Sequence, residues 1–461
     1  MKGPLWTSAD IAAATGGVAS GTFDVDTVTF DSREVIGGEL FIALKGAADD
    51  GHRFVPSALQ RGARGLLVSE AVDAPHVRVA DTTAALDTLG IAARARTAAT
   101  IVGVTGSVGK TGVKEALRAA LGRAAPEYTH ASVKSYNNHT GVPLSLARMP
   151  ADSRYGVFEM GMNHAGEIAH LTQLVRPHVA IVTWVASVHR EFFASEAGIA
   201  DAKGEIFAGL MPGGTAVIPY DNPHRDRLIE HAKPYAGRIV TFGFGEGADV
   251  RAVDHALLPD CTSARAEVFG EMLIFKTGMA GRHWLNNALG VLAVVHAAGG
   301  DIALAGLALA ELRDLPGRGS RHRVPRGEGS AVVIDESYNA NPASMAAALG
   351  VLGGITPERR GRRLVVLGAM GELGDGSADY HAGLAPVVEA AGVERAILVG
   401  EGMRPLAEVL RLRTSTALVD DAAAALALVV KELQPDDIVL IKGSNSMKLA
   451  TVVAGLTQVA T

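Results

Sequence analysis

Thr100-Ile-Val-Gly-Val-Thr-Gly-Ser-Val-Gly-Lys-Thr-Gly-Val-Lys-Glu-Ala-Leu117 is the stretch whose reading decides the fold of this chain. A β-branched run gives way to Gly103, Gly106 and Gly109, and Lys110-Thr111 then opens a segment in which Val113, Ala116, Leu117, Ala120 and Leu121 share one apolar stripe. Strand, glycine-rich turn and helix in that order build a phosphate cradle. The glycines let backbone N–H groups crowd an anion, and the helix start adds its positive dipole. Lys110 can reach the terminal phosphates and Thr111 can hold Mg²⁺. Val104 stands where the first glycine of the usual G-x-x-x-x-G-K-[ST] spacing falls, so the motif reads T-G-S-x-G-K-T, with Thr105, Gly106, Ser107, Val108 and Gly109 leading into Lys110 and Thr111. A bare G-K-T can also be a plain turn; in this setting we expect a nucleoside triphosphate.

Composition narrows the rest. The chain has 461 residues, too many for one ordinary core, so two to four domains are expected. Apolar residues make up 48% and aromatics 5%, which suits Ala- and Gly-rich α/β layers rather than a disordered chain. The net charge of −6 comes without a basic block, which argues against nucleic acid as a partner. A single cysteine, Cys261, excludes an intrachain disulfide and fits a reducing, cytoplasmic compartment. No secretory signal is visible before Asp10. The apolar residues 288–312, broken by His296, Gly299, Gly300 and Asp301, read as two packed helices rather than a membrane span.

Three segments separate by pattern. Residues 1–98 carry short strands (25–30, 40–44, 65–68) and polar turns, including Asp31-Ser-Arg33. Residues 99–314 alternate strand and helix from the cradle onward. A new series of strands (331–334, 363–367, 396–399, 438–441) follows in residues 315–461, with Leu315-Pro-Gly-Arg-Gly-Ser-Arg-His-Arg-Val-Pro325 as the joint. We therefore expect an α/β protein of three domains: a small N-terminal α/β domain, a central P-loop mononucleotide-binding parallel sheet with helices, and a C-terminal Rossmann-like α/β domain.

Several side chains stand where chemistry is done. Glu159 ends the strand Tyr155-Gly-Val-Phe-Glu159, at the carboxyl edge where open α/β sheets bind ligands; it is either a ligand for nucleotide-bound Mg²⁺ or a solvated surface carboxylate. His189, a short loop beyond the strand 179–183, is either a hydrogen-bonded loop histidine or a metal ligand. The stretch 195–210 reads as a helix in which Lys203 falls four residues from both Ile199 and Phe207, so it points inward with them; a lysine there is snorkelling or has a purpose. Asp335-Glu-Ser-Tyr-Asn-Ala-Asn-Pro342 follows a buried strand, with Asn341 and Pro342 able to start a helix. Lys442-Gly-Ser444 repeats the strand–glycine–hydroxyl logic and either receives an anion or turns the chain. Arg318 in the joint can reach a transferring phosphoryl group.

Together these segments resemble the Mur ligases of bacterial cell-wall synthesis. The resemblance rests on Asp31-Ser-Arg33, Gly38-Glu-Leu-Phe-Ile-Ala-Leu-Lys-Gly46, the cradle, Asn137-Asn-His-Thr-Gly-Val-Pro143 and Glu159-Met-Gly-Met-Asn-His-Ala-Gly-Glu-Ile168, and then on Ala202-Lys-Gly-Glu-Ile206, Tyr338-Asn-Ala-Asn-Pro342, Gly371-Glu-Leu-Gly374 and Lys442-Gly-Ser444. It implies a first domain that holds the uridine-nucleotide end of the substrate, a centre that holds ATP, and a third domain that admits the incoming amine. Within the family, the Asn-Asn-x-x-Gly-x-Pro and Tyr-Asn-Ala-Asn-Pro stretches resemble members that add D-alanyl-D-alanine to UDP-N-acetylmuramoyl-tripeptide through an acyl phosphate. Members that add diaminopimelate or lysine are the alternative. The Asp221-Asn-Pro-His224 stretch, in the central segment, is read as a coincidence. A phosphotransferase and a non-catalytic binding relative are the readings outside the ligases. A monomer without membrane insertion is expected.

The resemblance also implies roles. Lys110, His189, Lys203 and Arg318 would be catalytic. Thr111 and Glu159 would hold one Mg²⁺, and His189 with a CO₂-carbamylated Lys203 would serve a second. Asn287 would stand on the adenine side and Asp335-Glu336 near the ribose. Ser32, Arg33, Lys45, Gly46, Asn137, Asn138, Thr140, Asn339, Asn341, Lys442 and Ser444 would touch the other substrates. Four positions depart from the family pattern: Trp184 and Trp284 stand where asparagine is common, Gly112 replaces a hydroxyl residue, and Glu336 lengthens an aspartate.

Overall fold

The computed structural model describes residues 3–46, 49–187, 191–313 and 315–458. Among them the strands form three larger sheets and one two-stranded pair, following the three-segment plan. In the first segment, β1 (Trp6–Thr7) pairs with β3 (Asp24–Val25), while β2 (Val18–Ser20), β4 (Thr27–Thr29), β5 (Glu39–Ile42), β6 (Gly65–Val68) and β7 (His76–Arg78) form a sheet ordered β2-β7-β6-β5-β4. β4, β5, β6 and β7 run parallel and β2 antiparallel. Asp31-Ser-Arg33 and Lys45-Gly46 follow β4 and β5, past the carboxyl ends of two neighbouring parallel strands.

The central sheet has nine strands: β8 (Thr100–Thr105), β9 (Thr129–Ala131), β10 (Tyr155–Glu159), β11 (Val179–Val182), β12 (Thr215–Pro219), β13 (Arg238–Gly243), β14 (Val250–Leu257), β15 (Thr262–Val268) and β16 (Glu271–Thr277). Their order is β16-β15-β14-β13-β12-β11-β8-β10-β9. The expectation of a parallel sheet holds from β9 to β14 and fails beyond it, because β15 and β16 return as an antiparallel meander. The third sheet runs β17-β18-β22-β19-β20-β21, from β17 (Ser320–Arg326), β18 (Gly329–Glu336), β19 (Arg363–Gly368), β20 (Arg395–Val399), β21 (Ser415–Val419) and β22 (Ile438–Lys442). It is parallel except for β17. β17 corrects the reading of 315–325 as a joint throughout: Ser320–Pro325 pair with β18, so the crossing ends by Gly319. β21 escaped notice because it is half-buried, without the apolar run of its neighbours.

The helix Lys110–Ala124 forms as its stripe predicts, with Val113, Ala116, Leu117, Ala120 and Leu121 all buried against the central sheet. The 288–312 region is two helices, Arg282–Ala297 and Ile302–Glu311. The helix expected over 195–210 is capped by Ser195 and is α-helical over Glu196–Gly204; it tightens to a 3-10 turn over Glu205–Gly209. No helix among the described residues is long and apolar enough to cross a membrane.

The first and central sheets are fastened through the helix Thr82–Ala95. Arg94 donates to the carbonyls of Val175 and Arg176 (both 2.9 Å), and Arg96 donates to those of Leu5 (2.8 Å) and Met149 (3.2 Å). Arg96 also lies 3.6 Å over the Trp6 ring, whose Nε1 donates to the Ala147 carbonyl at 2.8 Å.

Candidate active site

β8 delivers the cradle to the carboxyl edge of the central sheet. Gly109 has φ +85°, a conformation open to glycine, and the helix starts at Lys110 without a side-chain cap, leaving its first N–H groups for a ligand. Ser107, Val108, Gly109, Lys110 and Thr111 line a cavity of about 990 Å³ between the central and third sheets. Thr105 and Gly106 support it from behind: the fully buried Thr105 hydroxyl donates to the Met160 carbonyl (2.8 Å), and the Gly106 carbonyl accepts from Lys110 Nζ (2.7 Å). Burial lowers the Lys110 pKa below the usual lysine range, Glu159 opposing the fall and Arg318 adding to it.

Glu159, 1% exposed, sits at the end of β10 beside β8. One carboxylate oxygen accepts from the Thr111 hydroxyl and the other from Asn137 Nδ2, each at 2.8 Å. Both donors are neutral, so the buried charge lacks a cation from either. A hydroxyl and a carboxylate converging in this way form an all-oxygen donor set, which fits Mg²⁺. Arg318, 207 residues further along the chain, crosses to donate to the Thr111 hydroxyl at 3.0 Å and lies 4.1 Å from the Tyr338 ring.

Lys203 points inward as its spacing predicted. Its side chain is fully buried and its Nζ has no hydrogen-bond partner among the described residues. Desolvation, and then the charge of Lys110, holds its pKa well below the usual lysine range. His189 lies outside the described residues.

The third sheet contributes the opposite wall. Lys442 and Glu336 end the adjacent parallel strands β22 and β18, and Lys442 Nζ lies 3.3 Å from Glu336 and 3.0 Å from the Asn339 carbonyl. These three residues, Asn341, Ser444, Asn137, Asn287 and Arg318 line the cavity. The Asn341 side chain also caps the helix Pro342–Gly353, accepting from Ser344 N at 2.9 Å, so its helix-start reading holds as well.

Other expected residues are not gathered at this cavity. The Asp335 carboxylate accepts from Gly317 N, Ser337 N and the Ser337 hydroxyl; it shapes the joint and leaves Glu336 alone on the wall. Asn138 accepts from Thr140 and Gly141 N at the start of the helix Gly141–Ala147, which occupies Asn138 and Thr140 with their own turn. Ser32, Arg33, Lys45 and Gly46 lie on the first sheet, outside the cavity lining; the Arg33 side chain, 88% exposed, is held by Asp31. In Asp221-Asn-Pro-His224, which was read as a coincidence, Asp221 does line the cavity; it accepts from Phe244 N and Gly245 N, and Asn222 donates to the Val185 carbonyl, so the stretch has its own structural work.

The structure also adds residues. His283 lines the cavity; burial lowers its pKa, Glu336 opposing this and Lys442 reinforcing it. It lies four residues before Asn287, and no sequence reading singled it out. Leu257, Leu258 and Pro259 reach the cavity from the β14–β15 turn, which no sequence signal announced. Two of the departures prove to be one feature. A Cβ at Gly112 would stand 2.6 Å from Cη2 of the buried Trp284, so the missing hydroxyl side chain makes room for the indole.

Comparison with known proteins agrees with this arrangement. The Mur ligase middle domain matches residues 104–295, the Mur ligase glutamate ligase domain 320–445, and the Mur ligase family catalytic domain 24–123. The UDP-N-acetylmuramoyl-tripeptide–D-alanyl-D-alanine ligase of Escherichia coli is 34% identical over 437 residues, covering 94% of each chain. That of Rickettsia prowazekii is 30% identical, covering 97% of this chain and 99% of its own. Among solved structures, MurF from Acinetobacter baumannii superposes with a TM-score of 0.85 at 30% identity, covering 98% of this chain and 99% of its own. MurF ligase from Thermotoga maritima in complex with ADP gives 0.75 at 26%, covering 94% and 97%. With its sheets, cradle and nearly full-length likeness in agreement, this chain belongs to the Mur ligase family.

Proposed function

We propose that the protein is an ATP-dependent ligase that joins D-alanyl-D-alanine to UDP-N-acetylmuramoyl-tripeptide in the synthesis of the peptidoglycan precursor. The observation that carries this reading is the single cavity in which the cradle, the buried Glu159 and the bridging Arg318 face Asn339, Lys442 and Ser444 of the third sheet. Amide synthesis from a carboxylate needs such a meeting place, because a phosphoryl donor, an acid and an amine must be held in line. Near full-length likeness to ligases of that name supports the choice of substrates.

In this scheme residues 99–314 bind ATP, with Ser107–Thr111 around the phosphates and Asn287 towards the base. Residues 1–98 take the uridine end; Ser32, Arg33, Lys45 and Gly46 are its candidates, because the carboxyl ends of adjacent parallel strands are where α/β sheets bind ligands. Residues 315–461 admit the dipeptide. The γ-phosphoryl group passes to the peptide carboxylate. The free amine then attacks the acyl carbon, a C–N bond forms, the acyl C–O bond breaks, phosphate leaves and the amine's proton is shed. Lys110 and Arg318 stabilise the charge on the moving group. Thr111 and Glu159 are the residues that would hold Mg²⁺, which supplies charge neutralisation on the phosphates.

Lys203 belongs to the same scheme as a carbamate. The neutral amine is the form that adds CO₂, giving N–COO⁻ with release of a proton, and the product is an oxygen ligand in place of a nitrogen that has no hydrogen-bond partner among the described residues. His189 stays a candidate ligand. We read the enzyme as cytoplasmic, in the compartment that supplies ATP.

The test is phosphate release and amide product with ATP, UDP-tripeptide and a panel of amines. D-Alanyl-D-alanine should be the productive acceptor. Preference for diaminopimelate or lysine would reassign the family member. A stable phosphorylated product indifferent to amines would make the protein a phosphotransferase, and nucleotide binding without phosphate release a non-catalytic relative.

A further inference from the structure

Lys114 lies one helical turn beyond Lys110 on the same helix, fully buried. It is not among the residues that line the cavity. Its Nζ donates to the carbonyls of Ser132 and Lys134, both at 2.8 Å, and meets the Glu115 carboxylate at 2.7 Å. A lysine is rarely buried unless paired, and here two of its three donors serve one short loop between β9 and the helix Gly141–Ala147. Lys134 has φ +53°, a left-handed conformation unusual for a residue with a Cβ. The Lys134 side chain turns out to Glu34, and its carbonyl turns in to Lys114.

The loop has two working ends. At one, Asn137 donates to Glu159 at 2.8 Å, its carbonyl accepts from Gly161 N at 2.7 Å, and the Ser132 hydroxyl accepts from Glu159 N at 3.3 Å. At the other, Lys134 Nζ and the Tyr136 hydroxyl (2.9 Å) both meet Glu34 of the first domain. Arg148 meets the same carboxylate at 3.3 Å.

We propose that Lys114 is a positioning residue for the metal site: it clamps the Ser132–Asn137 loop in its left-handed turn, so that Asn137 fixes the orientation of Glu159 while Glu34 seats the first domain on the same loop. The inference rests on the reading of Glu159 as a metal carboxylate. Residues that orient metal ligands typically matter by about ten- to a hundred-fold in metal affinity.

The experiment measures the Mg²⁺ concentration for half-maximal ADP binding, and hydrogen exchange of the 133–137 amides, in the full chain. Lys114→Met should raise the Mg²⁺ requirement by about tenfold or more and speed exchange in the loop. Combining it with Lys134→Gly, which adopts the left-handed turn freely, should return the requirement most of the way. Combining it with Lys134→Ala, which loses the same side chain but keeps the backbone penalty, should not. Should Lys114→Met fail to fold, Lys134→Val against Lys134→Gly carries the test, the valine alone raising the Mg²⁺ requirement. An unchanged requirement in folded Lys114→Met, equal rescue by alanine and glycine, or valine and glycine behaving alike overturns the proposal. A Mg²⁺ requirement untouched by Glu159→Gln would overturn the metal reading instead.

Discussion

Replacing Gly112 by alanine tests whether the cradle helix owes its position to the indole behind it. The added Cβ would stand 2.6 Å from Cη2 and 3.1 Å from Cζ3 of Trp284, against an ordinary carbon–carbon separation of about 3.5–4.0 Å. The overlap is therefore about 1 Å, and Trp284, 7% exposed and rigid, has little room to yield. Overpacking of this kind costs about 1–3 kcal/mol. One helical turn earlier a Cβ at Gly109 would lie 2.8 Å from Asn287 Oδ1, so the two helices touch along a seam that also locates Asn287. If they part by the overlap, Lys110 and Thr111 move with the helix, and a displacement of about 1 Å can cost on the order of 100-fold in rate. We expect Gly112→Ala to lower the urea midpoint, weaken ADP binding in calorimetry and slow phosphate release. Trp284→Leu in the same chain should restore ADP binding towards the parent value. Wild-type stability and ADP affinity in the single variant, or failure of the second change to relieve the first, would refute the packing argument.

Other outcomes follow from the same geometry. Lys203→Met keeps the volume and removes a buried donor that has no partner among the described residues, a burden of about 1–3 kcal/mol; in CO₂-free buffer the variant should melt higher than wild type yet not turn over, and bicarbonate should raise the melting temperature of the wild type alone. A lower melting temperature with normal turnover would discard the carbamate. Arg318→Lys loses a planar guanidinium that spans Thr111 and Tyr338, so kcat should fall roughly 100-fold or more while ADP affinity changes little; an unchanged kcat would remove Arg318 from the chemistry. His130, whose pKa burial lowers to about 4, donates to the Ser145 carbonyl and stays neutral when folded, whereas the unfolded chain takes up its proton near 6.5. The unfolded state thus binds more protons between those values, so its contribution is present above about 6.5 and is lost as pH falls towards 4, on the order of 3 kcal/mol. Urea midpoints of His130→Gln should show a shallower acid dependence than wild type, and parallel curves would contradict the assignment.

The cradle was legible because its signals are local: a β-branched strand, glycines at a turn and an apolar stripe fall within Thr100–Leu121. The inward face of Lys203 was equally local, fixed by its four-residue spacing from Ile199 and Phe207. The meander over β14 to β16 was not, because antiparallel return is decided by pairing, and its edge strand β16 keeps exposed apolar residues such as Met272 and Ile274 that blur the alternation. The meeting of Arg318 with Thr111 depends on how two domains dock. So does the withdrawal of Asp335 into the joint, which its resemblance to a ribose-facing pair concealed. The fit of Gly112 to Trp284 joins residues far apart in the chain, and sequence could mark each as unusual without revealing that either explains the other.

The fastening of the first sheet to the centre has a mechanical consequence. Arg94, Arg96 and Trp6 bind five backbone carbonyls at that seam, whereas the third sheet meets the centre through the short stretch ending at Gly319, the Arg318 bond to Thr111, the Arg321 bond to the Pro259 carbonyl and the bond from Glu191 N to the Glu372 carbonyl. A motion that opened the cavity would therefore break fewer of these bonds at the third sheet than at the first, as a door moves on a frame that already includes the far wall. In the proposed scheme the nucleotide and the small amine would come and go past that door, and the long sugar-linked substrate would lie along the more firmly fastened part.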